Sequence, residues 1–278
     1  MSPAPFSRRR FLALGGGAVA LAACGRHHHS FTQVAPGIVS IDLYASPKPQ
    51  RFAFALTAKQ GYASGPPVRV AIAPPGETPK RFVDAHARSV GLPAFRGVYS
   101  IDATLDRPGF WRGVLDYEGT KTAFAFQVAR HHVSPIAGEA APRAASPTVK
   151  DTLGVNPICT RVPQCPLHTK SLSDLVGKGR PVAVMFATPA RCQTQYCGPV
   201  LDALLTLWPT YRDRFDFVHV EIYQNDQTTD LISTVKAWGP LPGEPWLFGV
   251  DANGVVTGRL DGAFDETEMH SLLRGLVS

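Results

Sequence analysis

Four of the chain's five cysteines fall into two close pairs, Cys159-x5-Cys165 and Cys192-x4-Cys197. Thiols that near in sequence can form and break a disulfide, and the thiolate is the attacking species. In Cys192-Gln193-Thr194-Gln195-Tyr196-Cys197-Gly198-Pro199 the second cysteine opens a segment that carries Val200, Leu201, Leu204, Leu205 and Trp208 at helical spacing, with Pro209 as the expected stop. The partial positive charge of a helix N-terminus favours thiolate on Cys197, and Pro199 suits the first turn. Cys192, on the preceding loop beside Arg191, is placed to resolve a mixed disulfide. The same pair is compatible with a permanent loop staple. Around Cys159 and Cys165, Pro163 and the lack of a helix start argue against a tuned thiolate. That pair reads as a structural staple, with a second dithiol relaying electrons as the alternative. Glu221 ends the strand Phe217-Val218-His219-Val220-Glu221. Carboxyl ends of parallel strands are where such sheets place chemistry, so Glu221 is a candidate proton carrier for exchange. His219 alternates with Val218 and Val220 and reads as a core or interface histidine.

The elements that must position these residues are legible in the same region. Pro181 to Phe186 is a continuous apolar run, as for a strand buried on both faces. A short helix is expected at Ser171–Val176, a second buried strand at Phe215–Ile222 and a helix at Thr228–Trp238. Trp246–Val250 and Val255–Leu260 flank the turn Asp251-Ala252-Asn253-Gly254, and Asp265 caps a last helix running to Leu276. A helix between the first two strands requires them parallel, and the short turn requires the last two antiparallel. With this order, with Cys197-Gly198-Pro199 opening a helix after a strand, and with Glu244-Pro245-Trp246 just before the hairpin, residues 153–278 resemble a thioredoxin-like domain of the exported, membrane-tethered kind. The resemblance implies a proline beside the thiols, so Pro245 and Trp246 become candidate substrate-binding residues. The departure is that thioredoxins carry Cys-Gly-Pro-Cys, whereas this chain has Cys197-Gly198-Pro199-Val200 and an upstream Cys192.

Residues 31–133 show short stretches of apolar/polar alternation, the period of half-buried strands, separated by clusters such as Ser46-Pro47-Lys48-Pro49 and Ala73-Pro74-Pro75-Gly76. The pattern predicts a sandwich of about seven strands. Gly97-Val98-Tyr99 and Pro108-Gly109-Phe110-Trp111 resemble the Gly-x-Tyr … Pro-Gly-x-Trp pattern of bacterial immunoglobulin-like extracellular domains, which makes Tyr99 and Trp111 core anchors. Residues 134–152 are rich in Pro, Ala, Gly and Ser and read as a linker. The expected fold class is therefore multidomain, an N-terminal all-β immunoglobulin-like sandwich followed by a C-terminal α/β thioredoxin-like fold.

Before these comes an address. Ser7-Arg8-Arg9-Arg10-Phe11-Leu12 leads an apolar stretch to Ala23. As a helix it would span about 20 Å, short of a hydrocarbon core about 30 Å thick. Residues 1–23 resemble a twin-arginine signal, with Arg8 and Arg9 as the export motif. Leu21-Ala22-Ala23-Cys24 resembles a bacterial lipobox, which implies lipidation of Cys24 and a tether at 24–30 on the outer face of the bacterial cell membrane. His27-His28-His29 reads as part of that solvated tether. With Cys24 acylated, four cysteines remain for an oxidising compartment. Of the three possible pairings, Cys159–Cys165 with Cys192–Cys197 keeps each bond within one loop.

The formal charge of +6 falls to +3 without Arg8, Arg9 and Arg10, and no dense basic cluster lies elsewhere, so nucleic acid is not an expected partner. Hydrophobic residues at 44% and charged residues at 18% are those of a folded chain. Two classes of function follow. One is a membrane-anchored thiol–disulfide oxidoreductase, which needs a protein thiol or disulfide substrate and an external electron donor but no nicotinamide, flavin or metal within the chain. The other is a non-catalytic binding lipoprotein with two structural disulfides. A third reading, a Sco-like copper chaperone, fits less well: that family uses C-x3-C and a histidine after the hairpin, whereas here the spacing is C-x4-C and His270 lies in the last helix.

Overall fold

The computed structural model describes residues 34–58, 61–63, 67–93, 98–192, 195–239 and 243–276. The export motif Arg8 and Arg9, the lipidation candidate Cys24 and the tether 24–30 lie outside the described residues.

The N-terminal half contributes β1 (Ala35–Ile38), β2 (Gln50–Ala58), β3 (Gly61–Ala63), β4 (Val68–Ala73), β5 (Val83–Arg88), β6 (Val98–Ala103), β7 (Gly109–Tyr117) and β8 (Thr120–Val128). They form one antiparallel sheet in the order β1-β2-β6-β5-β4-β7-β8, with β3 added on β2. Alternation dictates the inner face: β7 turns Trp111, Leu115 and Tyr117 inward, where they meet Phe52, Phe54, Tyr99 and Phe126. The two-residue loop Glu118-Gly119 has both φ angles positive, at 50° and 84°, which matches the right-handed twist of the β7–β8 hairpin. Gly113 faces Phe124 across that hairpin, and a Cβ there would collide with the ring.

The ends of this sheet approach each other. Thr122 Oγ1 donates to the Val34 carbonyl at 2.9 Å, the Ala45 amide donates to the Ala129 carbonyl at 2.8 Å, and the Ala129 amide donates to the Leu43 carbonyl at 2.8 Å. The result is a nearly closed, barrel-like sheet. This corrects the expected two-sheet immunoglobulin-like sandwich: β5 bonds both β4 and β6, so the strands join into one sheet. Tyr99 and Trp111 are core residues, as expected, and Trp111 Nε1 donates to the Arg107 carbonyl at 2.9 Å.

The second half holds α1 (Leu172–Leu175), β9 (Val182–Phe186), α2 (Cys197–Tyr211), β10 (Asp216–Val220), α3 (Ser233–Ala237), β11 (Trp246–Val250), β12 (Val256–Asp261) and α4 (Glu266–Arg274). The sheet order is β10-β9-β11-β12, with β9 and β10 parallel and the other pairs antiparallel. Ala183 and Met185 face a core shared with Leu201 and Leu204 of α2 and with Met269 and Leu273 of α4. Val182, Val184 and Phe186 face the opposite core with Trp238, Trp246 and Phe248. That two-sided burial explains the unbroken apolar run of β9.

The expected α/β thioredoxin-like class is corrected as well. Strand predominates along the chain, and of the four helices among the described residues two have only four and five residues. The described residues belong to one compact unit. Buried ion pairs tie the two sheets together. Arg51 of β2 reaches Glu268 of α4 at 2.6 Å, and Arg259 of β12 reaches Asp42 at 2.9 Å. Asp265 caps α4 by accepting from Glu268 N at 3.0 Å and also accepts from Val90 N at 3.1 Å. The expected linker 134–152 is packed rather than free. Ala141, Ser146 and Thr148 are buried, Ala141 N donates to the Gly254 carbonyl at 2.8 Å, and Thr234 Oγ1 donates to the Ala145 carbonyl at 2.6 Å.

Candidate functional site

The strand β9 ends at Phe186, and the chain turns through Thr188 and Arg191 to Cys192 before α2 begins at Cys197. Gln195 N donates to the Cys192 carbonyl at 3.1 Å, and Gln195 takes a φ of 60°, which folds the loop back on itself. Cys192 and Cys197 thereby meet in a disulfide, their Cα atoms 5.8 Å apart. Cys197 is fully buried, whereas Cys192 is partly exposed. The Cys197 amide, the first of the helix, donates to Cys192 Sγ at 3.2 Å. Helix N-terminal stabilisation thus reaches the Cys192 sulfur, and that is also the sulfur nearer the solvent. The sequence places the attacking thiol at Cys197, whereas the more exposed member of the pair is Cys192. Arg191 turns aside: it donates to the Asn225 carbonyl at 2.6 Å and lies over the Tyr223 ring.

A carboxylate does converge on the pair, but it is Glu244. One of its oxygens and the two sulfurs lie within 4.8 Å of one another. Burial pushes the Glu244 carboxyl up to about 8, against the opposing effect of hydrogen bonds from Thr188. A group poised there holds a proton at neutral pH and releases it just above. Glu221 is engaged elsewhere. Its Oε1 accepts from Thr160 N at 2.6 Å and from Thr160 Oγ1 at 3.0 Å, which fastens the loop after Cys159 to the end of β10. Burial raises the Glu221 carboxyl as well. Neither proposed substrate-binding residue sits on an open surface. Trp246 is buried in the core, its Nε1 donating to the Gly243 carbonyl at 2.8 Å and its ring stacked on Phe248. Pro245 is buried beside it, joined to Glu244 by a cis peptide bond.

The other two cysteines are not bonded. Cys159 and Cys165 are free thiols, both buried, which corrects the expected second disulfide. Two histidines share their site. Cys165 Sγ lies 3.3 Å from His168 Nε2 and 3.4 Å from His219 Nδ1, and Cys159 Sγ lies 3.8 Å from His219 Nδ1. The two imidazoles are 3.1 Å apart at those nitrogens. The hydrogen bond between the sulfurs lowers the Cys159 thiol and raises the Cys165 thiol, and burial adds to the rise at Cys165. Burial lowers His168, whereas at His219 the bond to Cys159 and the charge of Glu221 outweigh burial and raise it.

The sequence pointed to Cys192 and Cys197 as partners, and the fold joins them. It missed Glu244, seen there only as the residue before Pro245, and it missed the grouping of His168 and His219 with the first cysteine pair. The spacing Cys159-x5-Cys165-x2-His168 was the available signal for that grouping. His270, the histidine weighed for copper, bonds Tyr211 at the far end of α2 from Cys197. Among the described residues no helix is long and apolar enough to cross a membrane. No protein-family model matches the chain, and none of the curated proteins searched matches it.

Proposed function

We propose that the protein is a thiol–disulfide oxidoreductase that works through Cys192 and Cys197, exported and held at the outer face of the cell membrane by a lipid on Cys24. The observation that carries the reading is the asymmetry of the pair: Cys192 is partly exposed, with its sulfur accepting from the first amide of α2, and Cys197 is buried within that helix. A substrate thiolate attacks Cys192 Sγ, forming a mixed disulfide, and the Cys192–Cys197 bond breaks with its electron pair going to Cys197. The Cys197 thiolate is buried and takes a proton from the neighbouring Glu244 carboxyl. A second substrate thiolate then attacks the substrate sulfur of the mixed disulfide. The substrate leaves as a disulfide, and Cys192 leaves as a thiolate facing the helix N-terminus. Two electrons pass from substrate to protein. The reverse sequence reduces a substrate disulfide, and a dithiol or disulfide partner outside the chain resets the pair.

Substitution separates the roles. In cells, Cys197→Ser should accumulate a dithiothreitol-sensitive mixed disulfide formed when Cys192 attacks a substrate disulfide, because the Cys197 thiolate that releases the substrate in the reducing direction is gone. Cys192→Ser should accumulate none. Trapping by neither variant would make the bond a staple and the reading wrong.

A further inference from the structure

We propose that Cys159, Cys165, His168 and His219 form a closed, tetrahedral binding site for one Zn²⁺ ion, separate from the disulfide. Four residues with sulfur or imidazole donors converge with their ligand atoms within 4.8 Å of one another, and all four are buried. No oxygen donor belongs to the set, which selects a thiophilic cation over calcium or magnesium.

The spacing of the atoms is that of a coordination shell. Around a tetrahedral zinc with Zn–S of about 2.3 Å and Zn–N of about 2.0–2.1 Å, a sulfur and a nitrogen lie about 3.6 Å apart and two nitrogens about 3.3 Å apart. Three of the four sulfur–nitrogen separations here are 3.3, 3.4 and 3.8 Å, the nitrogens are 3.1 Å apart, and all four ligand atoms lie within 4.8 Å of one another. Shifts of a few tenths of an ångström admit an ion at the centre.

The surrounding structure aims the ligands. His219 Nε2 bonds the Ala187 carbonyl at 2.9 Å, so that nitrogen carries the hydrogen and Nδ1 offers its lone pair to the cluster. A carbonyl behind the imidazole is the usual outer-shell partner of a metal-binding histidine. The His219 amide donates to the Leu167 carbonyl at 3.0 Å, which pins the loop bearing Cys165 and His168 against β10. Glu221 holds Thr160, and so the Cys159 end of the loop, to the same strand.

The charge also balances. Zn²⁺ entering two thiols releases two protons and leaves two thiolates, so the buried centre is neutral and no electron is transferred. All four positions are taken by protein, the pattern of a structural rather than a catalytic zinc site. The ion would fix the loop 159–168 to β10 as a disulfide would, without depending on an oxidant.

The test uses the full chain, stripped with chelator under reducing conditions and then titrated with Zn²⁺, and with Co²⁺ as a spectroscopic probe. The expected result is one ion per chain, sulfur-to-cobalt charge-transfer bands, and protection of Cys159 and Cys165 from alkylation, read by mass spectrometry without any variant. Cys165→Ser and His219→Gln should each weaken zinc binding by more than about 100-fold, beyond the 10–100-fold typical of outer-shell changes. A Cys192→Ser/Cys197→Ser variant should bind zinc like the parent, which keeps this result independent of the exchange reaction. Failure to bind zinc, binding unchanged by Cys165→Ser and His219→Gln, preference for Cu⁺ over Zn²⁺, or a Cys159–Cys165 disulfide in the isolated protein would each overturn the proposal.

Discussion

Replacing Glu244 by Gln keeps the shape of the side chain and removes its titration. Burial has moved this carboxyl from 4.5 to about 8. Below about pH 4.5 folded and unfolded chains both hold the proton, and the group contributes no pH dependence. Between 4.5 and 8 the unfolded chain loses the proton while the folded chain keeps it, so stability falls as pH rises and the loss is complete above 8. At about 1.4 kcal/mol for each tenfold in proton affinity, the full effect is up to about 5 kcal/mol. Urea unfolding of the oxidised parent and of Glu244→Gln at pH 5, 7 and 9 measures it, because the difference between the two proteins cancels the other titrating groups. The variant should gain on the parent by several kcal/mol from pH 5 to pH 9. Parallel curves across that range would refute the placement of a protonated carboxyl beside the disulfide.

Arg259→Met should cost about 3 kcal/mol, because it leaves Asp42 charged and buried between the two sheets; a loss below about 1 kcal/mol in chemical denaturation would mean the pair does not tie them. Arg8→Lys with Arg9→Lys should leave precursor in the cytoplasm, and Cys24→Ser should release the exported protein from the membrane fraction. Fractionation and lipid labelling check both, and normal export or retained anchoring would contradict the respective motif.

What the sequence revealed follows from how local each signal is. β9 is readable because both of its faces are buried, and the hairpin β11–β12 because Asp251 and Gly254 fix its turn: Asp251 Oδ1 accepts from Asn253 N at 2.9 Å and from Val255 N at 2.8 Å. Pro209 did not stop α2, which runs to Tyr211. Thr228–Trp238 kept helix only at Ser233–Ala237, because Asn225 Oδ1 draws the amides of Gln227 and Thr228 into a turn and Leu231 bridges Tyr223. Strand order leaves no trace in alternation, so the pairing of β4 with β5 that merges the N-terminal strands into one curled sheet was invisible. Composition marked 134–152 as a linker, yet Ala141 and Ser146 are small enough to be buried against the second half of the chain. The site was half legible for the same reason. Cys192 and Cys197 are neighbours in sequence, but Glu244 and His219 reach their partners only through the fold.

A redox titration of the full chain shows most directly whether the Cys192–Cys197 bond turns over. Equilibration in glutathione and dithiothreitol buffers, followed by alkylation and mass analysis of the peptides bearing Cys192 and Cys197, gives the potential of that pair alone. The expected result is a reversible two-electron transition in the range of exchange-active proteins, about −120 to −270 mV, with the chain still folded in both states. A bond that stays closed below about −300 mV, or that opens only when the protein unfolds, would be a structural staple and would exclude thiol–disulfide exchange through this pair.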